Sequence, residues 1–168
     1  MCTETERKPL RLPEETPATV AGVTDEYLDV LDDVESLAES RVGHGQQIEF
    51  VRMASALEIV PIRTDLARVA VFASPGLIEI LVGSVVHESF TIDPRDSLKT
   101  RQSCFEIVEA ALDGKLVERL WFRRQRMIYG LATLQVDDKC YTYHSGLSLL
   151  RGLARTETRT YEAYPMVT

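Results

Sequence analysis

The pattern of apolar residues changes its period at Gly114, and this change constrains the fold more than any other feature of the sequence. Before Gly114, Leu98, Phe105 and Leu112 recur at seven-residue spacing, as in an amphipathic helix. The same helical face is completed by Cys104, Ile107, Val108 and Ala111. After Gly114, aromatic and β-branched residues gather in short runs that suit a pleated sheet. The sequence therefore predicts a helix that packs on an antiparallel sheet.

Both ends of this helix carry recognisable signals. Asp93 can accept a hydrogen bond from a free first-turn amide, Pro94 suits the first helical position, and Asp96 adds negative charge to the first turn. Asp113 and Gly114 end the helix, because glycine readily takes the left-handed conformation of a helix stop. A helix from Asp93 to Gly114 is expected.

Three strands are predicted after the helix, at 116–123, 126–136 and 139–144. A two-residue loop at Asp137-Asp138 would set the register of the last two. The resulting pairs are Val136 with Lys139, Leu134 with Tyr141, Ala132 with Tyr143, and Thr133 with Thr142. A two-residue loop at Arg124-Gln125 would place Trp121 beside Ile128 and Val117 beside Ala132. Leu120, Phe122, Met127 and Tyr129 would then share the other face, but a loop longer by one residue would exchange the faces.

Two helices are predicted in the N-terminal half. The first covers 25–41 and is capped by Thr24. Its apolar stripe consists of Tyr27, Val30, Leu31, Val34, Leu37 and Ala38. The second lies between Gln46 and Glu58, because Phe50, Met53, Ala54 and Leu57 follow helical spacing. Alternation of Ile48 and Phe50 leaves a strand open for its first half.

The remaining segments complete an α+β fold. Strands are expected near 67–73, 77–82 and 84–92, joined by turns at Pro75-Gly76 and Gly83-Ser84, with a final strand at 156–164. The predicted order is N-terminal helices, an antiparallel β-meander, a central helix packed on the sheet, and a second antiparallel β-meander. Residues 1–22 are proline-bearing and polar, which predicts a flexible tail before a single domain of 23–168.

The amino-acid composition argues against nucleic acids and anionic membranes as the main partners. The 168 residues carry a net charge of −7 with 45% hydrophobic residues, whereas nucleic acids and anionic membranes are bound through clustered Lys and Arg. The sequence has neither the apolar core of a signal peptide near Met1 nor an apolar run of ~18 residues, so a cytoplasmic protein without membrane contact is expected. The sequence has three cysteines, Cys2, Cys104 and Cys140. This odd number argues against a disulfide framework and favours reduced thiols.

Catalytic signatures are missing from the sequence. It contains no phosphate-cradling glycine loop, no G-x-S-x-G, no H-E-x-x-H and no paired C-x-x-C. Cys140, His144 and His87 could form a soft-metal or nucleophilic site, although an inert thiol and two exposed histidines are the simpler interpretation. Glu79 and Glu88, opposite each other in the predicted hairpin, are interpreted as exposed carboxylates rather than an acid and base pair. No cofactor and no metal are predicted.

Arginines cluster at the predicted Arg124-Gln125 turn, which is either an ordinary solvated turn or a site that binds an acidic partner or a phosphate. Arg123, Arg124 and Arg126 form a basic tip on an acidic protein, and guanidinium groups match carboxylates and phosphates geometrically. Aromatic residues on the same strands add the residue types enriched at contact surfaces. The candidate binding residues are Trp121, Arg123, Arg124, Arg126, Tyr129, Tyr141 and Tyr143.

These features favour a non-enzymatic module that binds a partner protein, or a second copy of itself as a homodimer, through a sheet face or edge. The layout of helix, strands, helix and strands is loosely similar to small acidic bacterial secretion chaperones and to some toxin-immunity proteins. The alternative is a small-molecule-binding protein or an enzyme with a pocket between the central helix and the sheet. A nucleic-acid role ranks third and requires the basic tip to join Arg151, Arg155 and Arg159 in one patch.

Overall fold

Two antiparallel sheets and two helices make up the computed structural model, which describes residues 26–42, 48–92 and 97–164. The helices are α1 (Glu26–Arg41) and α2 (Ser97–Leu112), and a 3-10 helix covers Ser148–Leu153. The first sheet has the order β1 (Ile48–Met53), β2 (Ala56–Pro61), β3 (Val69–Ser74), β4 (Leu77–Val82), β5 (Val86–Thr91). The second has the order β8 (Lys139–Gly146), β7 (Arg126–Val136), β6 (Leu116–Arg123), β9 (Arg155–Thr160). The α+β class is thus confirmed.

The predicted second helix between Gln46 and Glu58 is wrong, because this segment forms the β1–β2 hairpin. Phe50 pairs with Ile59 and Met53 pairs with Ala56, so the turn falls at Ala54-Ser55. Apolar residues three or four positions apart are also compatible with a hairpin. Each strand alternates with a period of two, and the turn between the strands interrupts that alternation. Met53, which the helix would bury, has 45% of its surface exposed. The first sheet consequently has five strands instead of three.

Helix α1 buries the predicted stripe against β2 and β3. Val30, Leu31, Val34 and Ala38 are all buried. Its early acids are paired with arginines across the fold, because Asp33 contacts Arg101 of α2 at 3.3 Å and Asp32 contacts Arg52 of β1 at 2.5 Å. The predicted Thr24 cap and the side chain of Tyr27 lie outside the described residues. The predicted tail of 1–22 and the predicted Asp93–Asp96 cap of α2 also lie outside them.

Helix α2 packs on β7 and touches β4, and Cys104, Val108 and Leu112 are buried. Leu98 does not join them, because 81% of its surface is exposed. A seven-residue repeat drifts by ~20° per heptad around a straight helix, so the first member of the repeat leaves the buried stripe. Gly114 ends the helix in the left-handed conformation, with φ of 70°, as predicted.

The second sheet confirms the predicted strands and one of its two registers. Across Asp137-Asp138, Leu134 pairs with Tyr141 and Ala132 pairs with Tyr143, as expected. Across Arg124-Gln125 the predicted register is wrong beyond the turn, because a bulge at Ile128 pairs Trp121 with Tyr129. One extra residue on β7 shifts every later pair. Val117 therefore faces Thr133, and Tyr129 leaves the face of Leu120, Phe122 and Met127.

The turn between β4 and β5 is one residue longer than predicted, so Glu79 is not opposite Glu88. Val82 pairs with Val86 around a three-residue loop, which places Glu79 opposite Ser89 and Glu88 opposite Ile80. The Glu79 carboxylate instead lies 3.1 Å from Nε2 of His87.

A buried glutamate joins the two sheets at this turn. Glu118 of β6 has no exposed surface, and its carboxylate accepts hydrogen bonds from the Ser84 backbone N–H at 2.7 Å and the Tyr161 hydroxyl at 2.6 Å. Nearby, Gly130 of β7 leaves room for Val85, whose side chain would collide with any Cβ at position 130. The β4–β5 turn therefore docks into the inner face of the second sheet, which is the face toward α2.

The C-terminal segment after β9 closes the core. The predicted strand of 156–164 ends at Thr160, and residues 161–164 run instead past the end of α2. The Tyr164 N–H donates to the Leu112 carbonyl at 2.7 Å, and its hydroxyl donates to the Ala67 carbonyl. The segment thus ties α2 to the loop before β3.

Candidate functional site

The candidate site lies on the outer face of the second sheet, where the chain crosses from β8 to β9. These strands occupy opposite edges of the sheet, so the connection between them must pass over β7 and β6. Gly146 begins the crossing with φ of 83°, and the Leu147 N–H donates to the Ile128 carbonyl at 2.9 Å. The bulge that shifts the register therefore also anchors the crossover.

The crossover places Arg151 on top of two aromatic rings. Its guanidinium carbon lies 4.0 Å from the Tyr129 ring centre and 5.4 Å from that of Trp121. Arg119, two residues before Trp121 on β6, lies 5.1 Å from the same tryptophan ring. Such contacts are attractive because the ring face is electron-rich. The rings are consequently covered, with 7% of Trp121 and 3% of Tyr129 exposed.

Histidine completes this aromatic group. The Tyr129 hydroxyl lies 2.6 Å from Nδ1 of His144 on β8, and the Trp121 and Tyr129 ring centres are 5.1 Å apart. Packing of this kind fixes the rings, and the rings in turn hold the guanidinium group of Arg151. The aromatic residues act as a rigid platform for cations.

Five arginines on the β6–β7 hairpin and the crossover differ from the other described arginines in their ion pairing. In the described part of the chain, no carboxylate partner is found for Arg119, Arg123, Arg124, Arg126 and Arg151. Carboxylates do pair with Arg41, Arg52, Arg63, Arg68, Arg101, Arg155 and Arg159. The arginines without a carboxylate partner therefore lie on the β6–β7 hairpin and on the crossover above it.

Sheet register places most of these charges on one surface, which we call the arginine face. It consists of Arg119, Trp121, Arg123, Arg126, Tyr129 and Arg151. On the outward-facing register positions of β6 to β9, and in the described residues of the crossover, there is no Asp or Glu. Threonines dominate the rest of β9 on this side, at 156, 158 and 160. A chain with net charge −7 thus carries a face on which every charged residue among those described is basic.

A second basic feature, the turn pocket, lies on the inner face at the same end of the sheet. It is a cavity of about 330 Å³ lined by Phe122, Arg124, Gln125, Arg155, Glu157 and Arg159. The Arg123–Arg126 tip and Arg151, Arg155 and Arg159 therefore do gather at one end of the sheet, but on two sides of it.

Tyr141 and Tyr143 lie on the inner face, away from Trp121 and Tyr129. They line a cavity of about 120 Å³ together with Glu88 and Phe90 of β5 and with residues of α2. Burial raises the pKa of the Tyr143 phenol, and the Glu88 carboxylate beside it raises the pKa further. This cavity is smaller than ligand pockets, which measure ~300–1,000 Å³.

Cys140, His144 and His87 are not brought together. Cys140 and His144 lie on the outer side of β8, whereas His87 is on β5 of the other sheet. None of the three is among the described residues that line the cavity between α2 and the sheets. Within residues 26–42, 48–92 and 97–164, no three His, Cys, Asp or Glu side chains are placed to hold a metal ion.

Comparisons with protein-family models, with curated proteins and with solved structures find no match to this chain. In the described ranges, neither helix has the length and hydropathy to cross a bilayer. Geometry and charge are therefore the observations that bear on function.

Sequence reasoning named the aromatic residues and the turn arginines but missed Arg119 and Glu118. Arg119 carried a usable signal, because residues two apart on a strand share a face and Arg119 precedes Trp121 by two. No local sequence pattern indicates that Arg151 covers both rings, since that contact depends on the path of the crossover. Glu118 sits in an alternating strand where a glutamate ordinarily marks the solvent side.

Proposed function

We propose that this protein is a non-enzymatic interaction module that binds an acidic segment of a partner protein on the arginine face. The observation that carries the proposal is that four of the five arginines without a carboxylate partner share the arginine face, whose described residues include no Asp or Glu. Arginines held against aromatic rings lose little entropy on binding, and they recognise carboxylates with charge-assisted hydrogen bonds.

An acidic protein segment fits this face better than a nucleic acid. Binding of single strands usually depends on bases that stack on exposed aromatic rings, but Trp121 and Tyr129 are covered by Arg151. The net charge of −7 also repels a long polyanion over the rest of the surface. A short acidic segment can dock on the basic face without meeting those charges.

Calorimetry with a synthetic acidic probe tests the proposal. The probe is a twelve-residue peptide in which Asp and Glu alternate with aromatic and small residues, and its control replaces each acid by the amide. We expect the acidic peptide alone to bind, with affinity that falls as salt is raised, since its contacts are electrostatic. Arg119→Gln and Arg151→Gln should each lower the affinity about tenfold, which is ~1.4 kcal/mol.

Arg68→Gln is the matched control, because Arg68 is also exposed but pairs with Glu58 on the first sheet. It should leave the affinity unchanged. Equal effects of all three substitutions would mean that only net charge matters and would contradict the proposal. Tighter binding of a single-stranded oligonucleotide, or a dimer in light scattering that dissociates on Arg119→Gln, would replace the acidic partner by a nucleic acid or by a second copy.

A further inference from the structure

The turn pocket combines three guanidinium groups with one carboxylate in a cavity of about 330 Å³. Arg124 reaches it from the β6–β7 turn, and Arg155 and Arg159 reach it from β9, where Arg155 pairs with Phe122 in the sheet register. It opens on the inner side of the sheet, so it is separate from the arginine face. Its existence depends on neither an acidic partner nor the function proposed above.

Charge within the turn pocket is only partly neutralised. Glu157 accepts a hydrogen bond from Nε of Arg159 at 2.7 Å and lies 3.9 Å from Arg155, while Arg124 has no carboxylate partner among the described residues. The contact with Arg159 lowers the pKa of the Glu157 carboxyl group. One carboxylate thus serves two arginines, and the third faces the cavity without a counterion.

Backbone conformation at the turn also supports a binding role. Arg124 and Gln125 both have positive φ, 50° and 66°, in a two-residue hairpin turn that glycine or asparagine would form with less strain. Strained side-chain-bearing residues concentrate at sites where the side chain is used. Here the strained conformation places the Arg124 side chain at the rim of the turn pocket.

We propose that the turn pocket binds a phosphate monoester. The three guanidinium groups provide planar pairs of N–H donors that match the oxygens of a phosphate. Glu157 neutralises only one of their three positive charges, and a phosphate dianion would neutralise the other two. The cavity is larger than a phosphate group, and Phe122 at its wall offers an apolar contact to the group that carries the phosphate. A free phosphorylated metabolite and a phosphorylated side chain share this chemistry.

Glu157 gives the proposal a distinctive test, because it competes with the phosphate for the same arginines. Phosphorus NMR of inorganic phosphate titrated with the full chain should show saturable line broadening. Arg155→Gln should weaken binding about tenfold, whereas Glu157→Gln should strengthen it several-fold by freeing both arginines. Glu58→Gln is the matched control, since Glu58 also pairs with an exposed arginine, Arg68, and neither residue lines the turn pocket. It should change nothing.

Two further probes separate the sources of the phosphate. A phosphoserine peptide and its unphosphorylated twin are compared with a phosphorylated sugar, and the tighter of the two phosphate probes identifies the physiological class. Absence of broadening in both the natural chain and Glu157→Gln would overturn the proposal. Equal strengthening by Glu157→Gln and Glu58→Gln would also overturn it, because it would reduce the effect to net charge. Loss of acidic-peptide binding on the arginine face would leave these outcomes unaffected.

Discussion

Glu118 shows how one residue can hold two sheets together. It is a charged side chain without exposed surface, and its two described hydrogen bonds come from the β4–β5 turn and from the C-terminal segment. A buried carboxylate is costly unless its oxygens are well bonded, and these bonds bring distant parts of the chain to one point. Gly83, with φ of 61°, leaves the carboxylate room against the turn.

Replacing Glu118 by alanine should therefore lower the free energy of unfolding by ~3 kcal/mol, since it leaves the Ser84 N–H and the Tyr161 hydroxyl unsatisfied. Glu118→Gln keeps one carbonyl oxygen as acceptor and should lose less. Urea denaturation measures both values. Glu49→Ala, an exposed glutamate on β1, is the control and should stay within ~0.5 kcal/mol of the natural protein. A comparable loss in both alanine variants would argue against the junction.

The sequence predicts which residues belong to the candidate site, but it does not predict whether their side chains are buried or exposed. The sequence indicates Trp121, Tyr129 and the turn arginines because aromatic and arginine side chains dominate contact surfaces. It does not indicate that both rings are buried, because the residue that covers them, Arg151, is more than twenty positions away along the chain. Residue type also groups Tyr141 and Tyr143 with them, but the alternation of β8 directs both tyrosines to the inner face.

At the scale of elements, the β6–β7 hairpin shows what local patterns determine and what they leave open. The predicted strands of 116–123 and 126–136 agree with β6 and β7 at both ends. The bulge at Ile128 was not predictable from the hairpin alone, because the Ile128 carbonyl bonds to the Leu147 N–H, which lies outside the hairpin. For the same reason, the helical spacing of 46–58 gave a wrong prediction, since the sheet that pairs with it decides the outcome.

Gln125→Gly should stabilise the protein, because it relieves a positive φ of 66° while keeping Arg124 in the turn. We expect a gain of ~0.5–1 kcal/mol, which raises the melting temperature by about 1–4 °C for a chain of this size. Gln135→Gly on β7, where no positive φ is present, is the control and should destabilise by a similar amount. Calorimetry distinguishes the two. Destabilisation by both substitutions would mean that the turn is not strained.

At the scale of the whole molecule, the α+β class and the packing of α2 on a sheet followed from periodicity alone. The division into two sheets could not be predicted from periodicity, because the sequence of a strand does not identify the strand with which it pairs. The contacts that join the halves come from side chains in turns and in the C-terminal segment, such as Val85 against Gly130 and Tyr164 with Ala67. These are long-range contacts, which carry no local pattern.

Buried tyrosines should make the whole fold sensitive to alkali. Burial and the hydrogen bond to Glu118 raise the pKa of Tyr161 to about 12, and burial also raises the pKa of Tyr143 and Tyr164. An unfolded tyrosine releases its proton near pH 10, so above that pH the unfolded state binds fewer protons than the native state. The contribution of the tyrosines to stability should therefore be constant up to pH ~10 and then fall as the pH rises toward 12. The buried Cys104 thiol, whose pKa burial raises to about 12, adds a fall that begins near pH ~8.5.

Urea denaturation at pH 9, 10.5 and 11.5 measures this fall. Tyr161→Phe should be less stable than the natural protein at pH 9, and its stability should fall less steeply above pH 10, by about 2 kcal/mol at most, because one titrating group is gone. An unchanged slope in Tyr161→Phe would indicate that its phenol ionises alike in both states.

Trp121 is the single tryptophan of the chain, and it sits beneath Arg119 and Arg151. Its emission is therefore an intrinsic optical probe of the surface proposed to meet a partner. A ligand that draws Arg151 off the indole would alter the quantum yield without any label, whereas occupancy of the turn pocket on the other side of the sheet would alter it little. The protein thus carries, in one chromophore, the means to tell its two proposed binding events apart.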